Sequence, residues 1–182
     1  MRDDRLRLFC ALQLPGETVD ELSAWQRRNL PDGRLVPPEN LHVTLAFLGS
    51  RPAEEVPAIV SELRAAAAAA APIELLAGRY RETRSVGMIV LEDVGGAAAA
   101  FAGELAERLE RLGSYRREGR PWLPHVTVLR FRERAGLVPE PANIRSINVV
   151  RSALYRSLPG PGSTKYSGPT YDALDTAALG GR

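Results

Sequence analysis

"NLHVTLAFLG", residues 40–49, decides how this chain is read. The sequence holds only two histidines in 182 residues. His42 sits in this stretch, and His125 sits in "WLPHVTVLRF", residues 122–131. Each is followed by Val-Thr and then by a branched aliphatic, Leu45 or Val128. One such motif is a weak signal, because a lone strand histidine is usually structural. At ordinary residue usage, Val-Thr after both histidines arises by chance on the order of once in 10⁵. The two copies read as halves of one site.

In a strand, residues i and i+2 share a face. His42 and Thr44 therefore point one way, and Val43 and Leu45 the other. The same holds for His125 and Thr127 against Val126 and Val128. Two such strands meeting across a cleft bring two imidazoles and two hydroxyls together. That set suits phosphoryl chemistry. One imidazole works neutral as a base and the other charged as an acid, while hydroxyls donate to non-bridging phosphate oxygens. A cyclic phosphodiester is a natural substrate, since its leaving oxygen needs a proton. Strict alternation puts Arg130 on the face away from His125, so it reaches the site only through a bend, a bulge or the strand's end.

Competing chemistries fit poorly. A zinc site needs three or four ligands at usual spacing, and no H-x-x-x-H, C-x-x-C or H-E-x-x-H pattern occurs. A G-x-S-x-G elbow is missing too. "GPGSTK" (160–165) lacks the order of a phosphate-binding loop and reads as a surface turn. "RLGSYRREGRPW" (111–122) carries basic residues beside Tyr115 and Trp122. It reads equally as a solvated helix end or as an RNA-strand contact. No metal or cofactor is expected.

Composition sets the frame. Apolar residues make up 45% and charged residues 25%, as in ordinary globular proteins. Formal net charge is +2 although the sequence pI is about 9.0, so this is not a polybasic nucleic-acid coat. Arginine dominates the basic residues, with Lys165 the only lysine. Cys10 is the only cysteine, which excludes an internal disulfide and fits a reducing compartment. The N-terminus shows no apolar leader, and the alanine run 65–71 is too short and too weakly apolar to span a bilayer. A cytoplasmic protein without membrane contact is expected, and nothing demands more than a monomer.

Periodicity predicts a strand over 5–14, a helix over 17–30, turns over 31–40 and a strand over 41–49 closed by Gly49. A helix capped by Ser50 is expected to run to Pro72. A hairpin pair follows over 73–82 and 85–94, then a helix over 96–113 with Gly113 as its C-cap. Strands are expected over 125–131 and 147–158, with one more near the C-terminus. The two motif histidines lie 83 residues apart, each near a long Ala-rich helix. That points to a single domain over residues 1–182 built of two similar α+β lobes.

Beyond the chemistry, the chain resembles the two-histidine phosphoesterases, and among them the RNA 2′,3′-cyclic phosphodiesterases, also called 2′-5′ RNA ligases. "RLFCALQLP" (7–15) resembles their opening strand, "VPPENLHVTLAFLG" (36–49) their first motif and "RPWLPHVTVLRF" (120–131) their second. "SALYRSL" (152–158) and Tyr166 after a glycine-containing loop resemble their C-terminal part. Val128 stands where Leu is commoner, and Leu129 where a smaller residue is usual. The resemblance implies a bilobal α+β fold of two antiparallel sheets facing across a groove, with helices outside. It implies hydrolysis of an RNA terminal 2′,3′-cyclic phosphate to a 2′-phosphomonoester without a metal. His42 would be the acid protonating the departing 3′ oxygen, and His125 the base activating water. Thr44 and Thr127 would hold the phosphate, with Arg130 as a further substrate contact. The alternatives are a small cyclic nucleotide or ADP-ribose cyclic phosphate as substrate, or a binding module without turnover. The resemblance also implies reverse 2′-5′ RNA ligation, which would be thermodynamically weak without an energy source.

Overall fold

The computed structural model describes residues 4–31, 34–134, 136–160 and 168–180. Its strands are β1 (Arg5–Gln13), β2 (Arg34–Leu35), β3 (His42–Pro52), β4 (Ile73–Glu82), β5 (Val86–Val94), β6 (His125–Arg130), β7 (Ile147–Val149), β8 (Arg151–Leu158) and β9 (Thr170–Ala178). Three helices join them: α1 (Gly16–Asn29), α2 (Val56–Ala68) and α3 (Ala97–Arg111). None of the described helices is long and apolar enough to cross a membrane. The strands run β7-β4-β5-β6-β3-β1-β8-β9, with β2 beside β6, and the pairings are antiparallel.

This is the expected α+β architecture of antiparallel strands and outer helices, with one refinement. The two expected sheets belong to one ladder, joined where β3 meets β6 at the single pair Val43–Val126. Either side of that pair the strands part, and the parting makes the groove. The indole N–H of Trp122 donates to the Thr44 carbonyl at 3.0 Å and braces the junction.

All three helices lie on one face. Leu22 and Trp25 of α1, Ile59 and Leu63 of α2, and Phe101, Leu105 and Leu109 of α3 share one core with Val43 and Val126. Each large side chain fully buried there stabilises the fold by roughly 1.5–3 kcal/mol. Helix α3 ends as expected at Gly113, whose φ of +77° suits glycine. The Ser114 N–H bonds the Leu109 carbonyl and the Gly113 N–H bonds that of Glu110, closing a Schellman motif.

Two expected boundaries move. Ser50 does not cap α2: β3 continues to Pro52 because the start of β1 pairs with it, and the Ser50 hydroxyl accepts from the Arg5 guanidinium at 3.0 Å. A short 3₁₀ turn over Ala53–Glu55 then leads into α2. The strand expected over 147–158 is two strands. β7 pairs with β4 and β8 with β1, so the chain crosses from one lobe to the other at exposed Val150.

β6 carries a bulge at Val128, between the pairs Gly87–Leu129 and Met88–Thr127. Its carbonyl accepts the Val36 N–H at 3.0 Å and the Gln26 side-chain amide at 2.7 Å, and Gln26 also donates to the Val36 carbonyl. Buried Gln26 thus supplies the hydrogen bonds that a bulged strand loses. Gln26→Leu is expected to lower unfolding free energy by about 1–3 kcal/mol, the cost of leaving buried carbonyls short of donors. A shift in urea midpoint at unchanged slope is the measurement.

Candidate active site

The Val43–Val126 pair turns both valines to the core, each fully buried. His42, Thr44, His125 and Thr127 therefore face the groove. Extending the register one residue each way sets His42 level with Thr127 and Thr44 level with His125. The four polar groups expected from the two motifs come together on one face.

Both imidazoles are held alike. The Nδ1–H of His42 donates to the Asn40 carbonyl at 2.7 Å, and that of His125 to the Leu123 carbonyl at 2.8 Å. In each case the acceptor is the carbonyl two residues upstream. That bond fixes one tautomer in both rings, with Nε2 the unprotonated nitrogen when the ring is neutral. The Thr44 hydroxyl lies 3.0 Å from His42 Nε2 and donates to it when the ring is neutral. Asn40 is itself anchored, its buried amide donating to the Pro169 carbonyl at 2.7 Å.

The matching goes further than the quoted motifs. β3 is bulged at Leu45, between the pairs Cys10–Ala46 and Ala11–Thr44. Leu45 and Val128 are both the fourth residue of their motif, so each bulge follows its threonine. A bulge reverses side-chain parity beyond it. Arg130 is thereby returned to the histidine face, and so is its counterpart Phe47. The Arg130 guanidinium reaches the Tyr171 hydroxyl at 3.5 Å, and Tyr171 meets the His42 ring edge-on at 5.4 Å between centroids.

An aromatic cluster backs His42. Phe9 pairs across the ladder with Phe47 on one side and Tyr155 on the other. Its ring lies 5.0 Å from His42, 5.2 Å from Tyr155 and 4.8 Å from Tyr171. The His42 imidazole keeps part of its surface open, yet protein atoms surround it on most sides. That burial is the main reason its pKa falls from 6.5 to about 4. The Asn40 carbonyl opposes the shift, and the charges of Arg130 and His125 add to it. At neutral pH His42 is therefore uncharged.

Sequence reasoning missed Phe9, Tyr155 and Tyr171, because their meeting depends on strands far apart in the chain. It also left Trp122 open, and the structure makes it a brace. In the same segment Arg117 is paired with Glu110 and Arg120 with Glu118, which favours the solvated-end reading. Tyr166 and most of the 160–165 turn lie outside the described residues. Buried Cys10 has its thiol pushed up to about 12 by desolvation, so it serves as a core residue.

Comparison with known proteins agrees with this geometry. Residues 12–81 match the family model described as LigT like Phosphoesterase. The chain is 32% identical over 179 residues to the RNA 2′,3′-cyclic phosphodiesterase of Escherichia coli, covering 88% of this chain and 92% of that one. It is 31% identical to the Thermus thermophilus protein of the same name, covering 97% and 91%. Among solved structures, that of TT0787 of Thermus thermophilus has TM-score 0.80 at 30% identity, over 97% of this chain and 99% of that one. E. coli LigT complexed with 3′-AMP has TM-score 0.78 at 29% identity, with the same coverage. Two histidines locked alike across one groove, and relatives similar along nearly the whole chain, place this protein in the LigT-like phosphoesterase family, a family of phosphoesterase enzymes.

Proposed function

We propose that the protein hydrolyses the 2′,3′-cyclic phosphate at an RNA 3′ end to a 2′-phosphomonoester, using its own side chains and no metal ion. The observation that carries this is the shared lock on the two imidazoles, which makes Nε2 the proton-accepting nitrogen of both rings on one face. The relatives named RNA 2′,3′-cyclic phosphodiesterase support the substrate class.

In the proposed reaction, His125 Nε2 takes a proton from water as the water oxygen bonds to phosphorus. The bond from phosphorus to the 3′ oxygen breaks, and that oxygen takes the proton on His42 Nε2. The 2′ ester bond stays, leaving a 2′-phosphate. Thr44 and Thr127 donate to the non-bridging oxygens, and Arg130 offsets their charge. His42 starts uncharged, so it must gain its proton in the substrate complex. The cyclic phosphate monoanion provides the reason: an anion beside a buried imidazole raises its pKa. On binding, the Thr44 hydroxyl turns from His42 to the phosphate.

Three outcomes check this reading. An RNA oligonucleotide ending in a cyclic phosphate, incubated in EDTA, is expected to yield the 2′-phosphate. His42→Ala and His125→Ala should each lose roughly 10²–10⁴ in rate, the usual worth of one acid or base. A 3′-phosphate product, or turnover abolished by EDTA, would contradict the scheme.

The third outcome concerns protons. The unfolded chain binds a proton at His42 near pH 6.5, and the folded chain only near 4. Between those values the unfolded state binds more protons, so stability falls as pH drops from about 6.5 to about 4. His42→Gln is expected to lack this component, which comparing thermal unfolding midpoints across that window will show. A saturating 2′-nucleotide should raise the His42 pKa in an NMR titration.

A further inference from the structure

We propose that Arg79 and Arg81, on the free edge of β4, bind backbone phosphates of an RNA strand whose cyclic end lies at the two imidazoles. This rests on the reading above and deepens it from a terminal phosphate to a strand. Met88 pairs with Thr127 on one side and with Arg81 on the other. Val90 pairs likewise with His125, and β4 is bulged opposite it, between the pairs Ala77–Leu91 and Tyr80–Ile89. Ala77, Tyr80, Ile89 and Leu91 pack on the core. Alternation from Tyr80 therefore turns Arg79 and Arg81 to the face that carries the motif histidines and threonines. Two strand spacings put their backbone roughly 10 Å from that of His125 and Thr127. Met88 and Val90, between them, bring no charge.

Both arginines are exposed, and neither side chain has an ion pair or hydrogen bond among the described residues. The acid beside them in the strand, Glu82, is committed elsewhere. Its carboxylate accepts from the Tyr80 hydroxyl and from the N–H groups of Gly136 and Leu137, and it pairs with Arg134. Glu92 shares the arginines' face but stands opposite Leu76, on the side of Arg79 away from Arg81. Among the described residues β7 pairs with β4 over Ile73–Leu75 alone, so the edge beside the two arginines is open. A cleft of about 390 Å³ lies there, lined by both arginines and by Gly136, Leu137 and Val138. Charged side chains on a free edge also guard it against strand pairing. That role asks for a charge of either sign and gives no preference between substrates. Two forked donors set two residues apart on the groove face suit successive phosphates of a single strand. A cyclic mononucleotide has no second phosphate to offer them.

The test uses the intact protein and two substrates with the same terminal nucleotide: a short RNA ending in a 2′,3′-cyclic phosphate, and the 2′,3′-cyclic mononucleotide. The readout is the ratio of kcat/KM for the RNA to that for the mononucleotide. The double variant Arg79→Ala, Arg81→Ala should lower that ratio about tenfold, the scale of partly solvated charge-assisted contacts. On the RNA its slope of log kcat/KM against log salt should be shallower by about 1.4, two single-strand phosphate contacts at about 0.7 each. Arg27→Ala, Arg28→Ala removes the same charge from the exposed end of α1 and should leave the ratio in place. In the wild type, neutral methylphosphonate linkages in the RNA should cost a similar factor, and the two losses should not multiply. An unchanged ratio in the double variant, an equal fall in the α1 control, losses that multiply, or wild-type indifference to methylphosphonate would overturn the proposal while leaving the hydrolase reading intact. Failure of the wild type on both substrates would overturn that reading and the proposal with it. The methylphosphonate comparison needs no variant, so a poorly folding double variant does not weaken the test.

Discussion

One backbone contact organises this molecule: the pair Val43–Val126, where two half-sheets meet and immediately part. Were β3 and β6 zipped along their length, the two motif faces would lie on a closed sheet with no groove between them. Were they unpaired, nothing would set one imidazole relative to the other. A single pair fixes the register while leaving a groove. The Trp122 bond to Thr44 reinforces that junction from the side.

The second constraint is the bulge repeated in both motifs. Leu45 and Val128 are each an extra residue in their strand, and both fill the core. Beyond them the groove face gains Phe47 in one lobe and Arg130 in the other. A pairing geometry shared by the two motifs thus supports two different residues at equivalent places, one apolar and one charged. The chemistry at the centre is close to symmetric, and its surroundings are not. His42 is enclosed by Phe9, Tyr155 and Tyr171, and that enclosure holds its pKa well below the ordinary imidazole value.

What the sequence made legible follows from period. The i, i+2 rule placed His42 with Thr44 and His125 with Thr127, and helical spacing found the three helices. The face of Arg130 was not legible by alternation alone, because a bulge is an irregularity held by distant partners. Here those partners are Gln26 on α1 and the main chain of Val36. Ser50 carried the chemistry of a helix cap and became strand because β1 extends alongside it. The break at Val150 was hidden for a related reason: residues 147–158 are uniformly strand-forming, and only the partners β4 and β1 show that they serve two lobes. Local pattern named the four polar groups of the groove, while tertiary pairing decided which other side chains join them.

In the proposed mechanism both imidazoles act on one phosphorus. Its most direct test is ¹⁵N NMR of the two histidine rings during titration with a 2′-mononucleotide, the form of the proposed product. Both Nε2 resonances are expected to move together and saturate at one ligand concentration, with both Nδ1 atoms staying protonated throughout. A response from only one ring, or two distinct saturation points, would contradict it.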